Sequence, residues 1–344
     1  MSVSRVLVVG LGNIGKLHLR LARELLPQAD IRVLRREEGA LPPEYADGVF
    51  SRMVQAIAFK PQIAVIANPA PFHLSVAQSL ADAGVHLMVE KPLSTAAEGV
   101  QRLIESCRER ELVLLTGYNL RFLPSLQRFR DLLRQNVIGK VFSVRCEIGQ
   151  YLPSWRPDVD YRQGVSARHD LGGGALLELS HELDYLRWIF GEVDWVEARL
   201  SRQSRLEIDV EDTVHLVLGF EPDVDSYSLI GTLSMDLVRH DTTRLCTSIG
   251  ELGSLRWNGL TGAVELFEAG TKNWRELFCF QQQREESYRE EWENFLACVE
   301  KKSTPLVNGE DGLKVLQIID AVRQASETGQ QVFVKGHSAA RGRS

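Results

Sequence analysis

"VLVVGLGNIGKLHLRLARELL", Val6 to Leu26, is the stretch from which the fold can be read. Four apolar residues of strand type run into Gly10, Gly12 and Gly15 in G-x-G-x-x-G spacing, and apolar positions then recur at helical period. The three glycines serve different ends, since Gly10 permits a tight turn, Gly12 lets the backbone approach a pyrophosphate, and Gly15 lets the helix pack close on the strand. The helix start adds free N–H groups and a positive dipole end, so Gly10, Gly12, Asn13, Ile14 and Gly15 are expected to bind a dinucleotide. The spacing alone is a weak signal; the strand before it and the helix after it give it meaning.

Outward from this turn, "IRVL", "QIAVIAN", "VHLMVE" and "ELVLLTG" alternate with helix-length intervals as far as Thr116. That alternation predicts an α/β Rossmann-type, doubly wound parallel sheet. Further on, "VFSVRCEIG", "DWVEARLSRQS", "TVHLVLGF", "SLIGTLSMDL" and "RLCTSIGELGSLRWNG" alternate at period two and predict a C-terminal α+β domain with a large, mainly antiparallel open sheet. One continuous helix, "GALLELSHELDYLRWIFG", interrupts that domain, and "SYREEWENFLACVEKK" and "GEDGLKVLQIIDAVRQASETG" close it. The expected division is a nucleotide-binding domain over 1–120, a substrate and oligomerisation domain over 121–335, and a frayed tail over 336–344. The sheet face carrying Phe142, Val144, Leu216 and Leu218 is either an oligomer surface or the seat of the domain's own helices.

Composition narrows the partners. A net charge of -6 leaves no basic footprint for nucleic acid or anionic lipid. The opening "MSVSRVLVVGLG" has no charged region ahead of a long apolar one and no cleavage site, so a cytoplasmic protein is expected. The five cysteines show no CxxC or Cys/His spacing, and no metal is expected.

Three further groups carry chemistry. After "IRVL", where an acid would hold the ribose of NAD, stand Arg35 and Arg36, which suit a 2′-phosphate; Glu37 and Glu38 are close enough to serve NAD instead. The cofactor is therefore NADP or NAD, with NADP slightly favoured. On the "ELSHELD" helix, Glu178, His181 and Glu182 share one sector with Asp184 on its shoulder, and carboxylates beside a histidine orient its ring for acid–base work. The long polar loop over 153–170 offers Trp155, Arg156, Tyr161, Arg162 and Arg168 to a sugar ring or carboxylate, with Arg121 as a further candidate.

Five segments in order, the glycine turn, "IAVIANPAPFH", "AGVHLMVEKPLS", "GGGALLELSHELD" and "NGEDGLKVLQIIDAVRQASETGQQV", make the chain resemble the Gfo/Idh/MocA oxidoreductases over nearly its whole length. The resemblance implies that Asn68, Pro69 and His73 pass beneath the ribose and nicotinamide. It implies that Glu90 and Pro92 shape the corner after a strand, in a cis or otherwise fixed bend. Lys91 then meets the reacting oxygen near the cofactor, and His181 acts as the base. Independently of the family, ligands of open α/β sheets collect at the carboxyl ends of the strands, where Lys91 falls. The helix departs from the family's D-x-G-x-H-x-x-D form, because Glu178 stands three residues before His181 rather than four; His181 and Asp184 keep their spacing.

The implied activity is NAD(P)-dependent interconversion of a secondary alcohol and a ketone on a sugar, sugar acid or nucleotide sugar, in a homodimer or homotetramer. Two alternatives stay open: a sugar-sensing regulator that binds NAD(P) without turnover, and a reductase of a non-sugar carbonyl or conjugated double bond.

Overall fold

The computed structural model describes residues 3–35, 37, 39, 41–222, 228–281 and 283–334, and divides into two compact units. Arg36, Glu38 and the expected tail over 336–344 lie outside the described residues.

The first unit comprises 1–119 and 284–316. Strands β1 (Arg5–Val9), β2 (Asp30–Leu34), β3 (Gly48–Phe50), β4 (Ile63–Ile66), β5 (His86–Glu90) and β6 (Leu114–Gly117) form one parallel sheet in the order β3-β2-β1-β4-β5-β6. The order reverses between β1 and β4, the point at which such sheets bind ligands. Helices α1 (Asn13–Leu25), α2 (Met53–Ala58), α3 (His73–Asp82) and α4 (Val100–Glu109) make the crossovers. Strand residues of both parities, such as Val6, Leu7, Val8, Ala64, Val65, Leu87 and Met88, are fully buried, as a sheet covered on both faces requires.

The second unit comprises 120–283 and 317–344. In chain order it contains α5 (Pro124–Arg134), β7 (Val141–Gly149), α6 (Ala175–Glu178), α7 (His181–Phe190), β8 (Val193–Ser201), β9 (Thr213–Phe220) and β10 (Ile230–Asp236). Next come β11 (Thr243–Gly250), β12 (Gly253–Asn258), β13 (Ala263–Glu268) and β14 (Arg275–Cys279). The last elements of the chain are α8 (Arg284–Lys301), α9 (Gly309–Thr328) and β15 (Val332–Phe333). The sheet has nine strands in the order β14-β13-β12-β11-β7-β10-β9-β8-β15, antiparallel except where β10 runs parallel to β7.

Two expectations change and one alternative is resolved. The helix α8 does not close the second domain: Trp292, Phe295 and Cys298 sit in one buried cluster with Val6, Val8, Ile63, Val65 and Leu19 of the first sheet and α1. Helical periodicity shows that a helix has an apolar stripe, not which sheet will cover it. The boundary falls inside α9, after Leu316. Val144, Leu216 and Leu218 are buried, with α5 and α6 packed on this sheet, so that face seats the unit's own helices; of the four residues named for it, only Phe142 is exposed. Lastly, the predicted helix over 174–191 is two helices, interrupted at Leu179 and Ser180. There the Ser180 hydroxyl donates to Leu177 O at 2.9 Å, a local bond that competes with the helical ladder. Among the described residues no helix is long and apolar enough to cross a membrane.

If α8 is part of the first core, Phe295→Ala should cost about 3–5 kcal/mol. Urea unfolding with hydrogen exchange checks this: amides of β1 and β4 lose protection, while those of β9 and β10 keep theirs.

Candidate active site

The glycine turn meets the steric demands of a dinucleotide cradle. Gly10 has φ +90°, donates its N–H to Leu34 O at 3.1 Å, and a Cβ on it would lie 2.7 Å from Asn68 N. The turn after β1 thus touches the loop after β4, on the two sides of the order reversal. A Cβ on Gly15 would lie 2.2 Å from Gly10 O, so only glycine lets α1 start this close to the strand. A Cβ on Gly12 would meet nothing within 4 Å, and Gly12 and Asn13 are exposed. Ile14 is half-buried in the first turn of α1, which has no side-chain cap and no acid. Free N–H groups at an uncapped, acid-free helix start suit a pyrophosphate. The residues present fit a bound NAD(P).

Arg35 follows β2, donating its N–H to Phe50 O at 3.0 Å and pairing through its guanidinium with Glu37 at 2.9 Å. Its buried Nε has no partner among the described residues. After β4, Asn68 and Pro69 lead into α3, whose first residue, His73, is buried. The two ring nitrogens of His73 face Asn68 O at 2.6 Å and Pro92 O at 2.9 Å, tying this loop to the corner after β5. Burial pushes His73 below the usual histidine range, against the pull of the two carbonyls and Glu90 toward the charged ring. His73 is placed as a brace between the two loops.

At the corner itself the Lys91–Pro92 bond is cis. Lys91 is half-buried, at the carboxyl end of β5. Glu90 is buried; its Oε1 faces His18 Nε2 at 2.8 Å and its Oε2 accepts the Lys91 N–H at 3.0 Å. The carboxylate is thereby committed to the corner. Sequence reasoning does not single out His18, although a histidine among the buried Gly15, Leu19 and Ala22 of α1 is a polar residue in an apolar stripe, and such residues need a partner.

In the second unit, His181 is the first residue of α7 and is half-buried, with Nδ1 shielded from solvent. Glu178, half-buried, ends the separate helix α6, so it does not share a helical face with His181. Glu182 is buried against the Arg244 guanidinium at 2.8 Å. Asp184 and Arg121, expected as catalytic and substrate-binding groups, hold each other: Arg121 donates from Nε at 2.9 Å and from Nη2 at 2.6 Å to the two carboxylate oxygens, and both residues are buried. A buried charge is stable only when paired, and these two pair with each other.

The loop over 153–170 is a series of four 3₁₀ turns. Its arginines are largely spoken for: Arg162 pairs with Asp160 and Glu207, each at 2.8 Å, and Arg168 with Asp170 at 2.7 Å. Trp155 donates to Gln150 O at 3.2 Å, and the Tyr161 hydroxyl accepts the Glu207 N–H at 3.2 Å. These four residues help order the loop; exposed pairs of this kind are worth under about 1 kcal/mol each. Arg156 is exposed.

Comparison with known proteins agrees with this geometry. Residues 4–118 match the family model described as "Oxidoreductase family, NAD-binding Rossmann fold", and 130–334 match "Oxidoreductase family, C-terminal alpha/beta domain", the two halves of Gfo/Idh/MocA. The chain is 24% identical to myo-inositol 2-dehydrogenase of Thermotoga maritima, over 95% of this chain and 98% of that one. Among solved structures it resembles levoglucosan dehydrogenase in complex with NADH, with a TM-score of 0.83 at 20% identity, covering 96% of this chain and 99% of that one. It also resembles the WlbA dehydrogenase from Bordetella pertussis in complex with NADH and UDP-GlcNAcA, with a TM-score of 0.78 at 22% identity, covering 96% and 98%.

Two outcomes follow from the geometry. Gly12→Ala should fold like the parent yet bind NADH roughly tenfold or more weakly, whereas Gly15→Ala should lose stability; fluorescence titration and thermal melting separate the two. Arg121→Met should destabilise by about 3–5 kcal/mol in urea, and adding Asp184→Leu should recover most of that loss.

Proposed function

The chain belongs to this oxidoreductase family, and on that premise we propose that it interconverts a secondary alcohol and a ketone on a polyhydroxylated ring, a sugar, sugar acid or nucleotide sugar, with NAD or NADP. The observation that carries the reading is the pairing of a glycine cradle open at Gly12 with Lys91 at the carboxyl end of β5, in a sheet whose order reverses between β1 and β4. Ligands of such sheets bind beyond the carboxyl ends of the strands near the reversal. The names of the relatives support the substrate class: one is a myo-inositol dehydrogenase, and two solved relatives, one crystallised with a nucleotide sugar, carry NADH.

The turn over Gly10–Gly15 holds the pyrophosphate on the N–H groups of α1, and Arg35 stands at the end of β2 where a ribose or its 2′-phosphate is read. The bound nicotinamide supplies hydride chemistry. His181 takes the hydroxyl proton as the alcohol becomes a ketone, and gives it back in reduction. Lys91 donates a hydrogen bond to the same oxygen, stabilising the negative charge it gains as the proton leaves. Arg156, exposed on the 153–170 loop, is the arginine of that loop assigned to substrate.

The test is reduced-nicotinamide absorbance across a panel of sugars, sugar acids and nucleotide sugars. On the best substrate Lys91→Ala and His181→Ala should each lower kcat by about 10²-fold or more. Turnover at the parent's rate in both variants would contradict the assignment.

A further inference from the structure

Beneath the corner that carries Lys91 lies a buried polar cluster. His18 of α1, Glu90 of β5 and Glu291 of α8 bring ligand-type atoms within 4.8 Å of one another, and all three are buried. The Trp292 Nε1–H donates to His18 Nδ1 at 2.9 Å. Indole N–H can only donate, so Nδ1 must be the accepting nitrogen of the ring, and the ring proton sits on Nε2, facing Glu90 Oε1 at 2.8 Å. That proton occupies the nitrogen a metal ion would need, so the trio reads as a proton-holding site rather than a metal site.

Glu90 accepts two N–H groups, from His18 and from Lys91, which is how a carboxylate is satisfied. Both oxygens of Glu291 are buried and neither has a hydrogen-bond partner among the described residues. Two unscreened carboxylates cannot both stay ionised at this separation, and the one without donors is the one that takes the proton.

We propose that Glu291 is a positioning residue: a buried neutral acid which, with Trp292 fixing the ring of His18, leaves the Glu90 carboxylate to hold the Lys91 N–H and so sets the place of that lysine. The catalytic meaning rests on the reading of Lys91 given above; the protonation of Glu291 does not. Burial, and then Glu90, push the Glu291 carboxyl well above the usual carboxylate range. Among the described residues, the titratable groups placed against it are His18 on α1 and Glu90 at the end of β5; Tyr288, on its own helix, meets the His18 ring edge-on. The pairs of Arg20 with Glu285 and of Arg289 with Glu24 join α1 to α8 at more exposed positions.

An acid whose folded-state pKa is raised keeps its full stability below the unfolded value and loses it as pH rises, because the unfolded chain gives up the proton first. Glu291→Gln removes that loss. Melting of the parent and of E291Q from acid to alkaline pH should therefore show a Tm difference that moves steadily in favour of E291Q as pH rises. The infrared band of a protonated carboxyl should be present in the parent and absent in E291Q. A Tm difference independent of pH, or no band lost, would overturn the neutral acid. The positioning role is read from kcat: Glu291→Leu should lower it by about tenfold or more, with E291Q recovering most of the loss. Equal kcat in parent and E291L would overturn that role. Lys91→Ala turning over like the parent would sink the lysine reading, while the melting and infrared results would still decide Glu291.

Discussion

The hydrogen bond between His18 Nε2–H and Glu90 holds the Lys91 corner in place. It joins the first crossover helix to the end of β5 in a buried region, where a polar group left unpaired costs about 1–3 kcal/mol. Trp292 fixes which ring nitrogen carries the proton, and the Glu90 carboxylate passes the constraint to the Lys91 N–H. His73 adds a second brace through Pro92 and Asn68. The lysine proposed for catalysis is thus attached to a corner clamped from α1, α3 and α8, rather than to a loop positioned by its own turn chemistry.

The cofactor turn shows the same economy of space. Gly15 sits against Gly10, and Gly10 sits against Asn68, with distances that exclude any side chain, while the intervening Gly12 stays open. Sterics rather than charge prepare this turn for an anion, and the dipole of α1 completes it.

Much of this was legible in the sequence because the information is local. Turn geometry fixes the glycine spacing, and strand-helix alternation gives the six-stranded parallel sheet. The "VEKP" corner falls at a strand's carboxyl end, as its apolar run predicts, although the three-residue strand β3 is too short to announce itself. What stayed hidden is pairing between distant positions. Asp184 and Arg121 are 63 residues apart, and each looked like a free charge until the fold brought them together. Glu90 and His18 are 72 apart, and Trp292 lies 274 from His18. The apolar stripe of α8 was visible, but its destination was not, since any sheet can bury a stripe. At the break between α6 and α7 one serine hydroxyl bonds backward, a choice that helix propensity does not register.

The ring of His18 gives the most direct measurement. In ¹⁵N-labelled protein, the histidine tautomer can be read by NMR from the proton couplings and shifts of its two ring nitrogens. The clamp described here requires Nε2 protonated and Nδ1 bare, with Nδ1 hydrogen-bonded to the Trp292 indole. A His18 ring carrying its proton on Nδ1 would mean that neither Trp292 nor Glu90 is bonded as described, and the account of the Lys91 corner would fall with it.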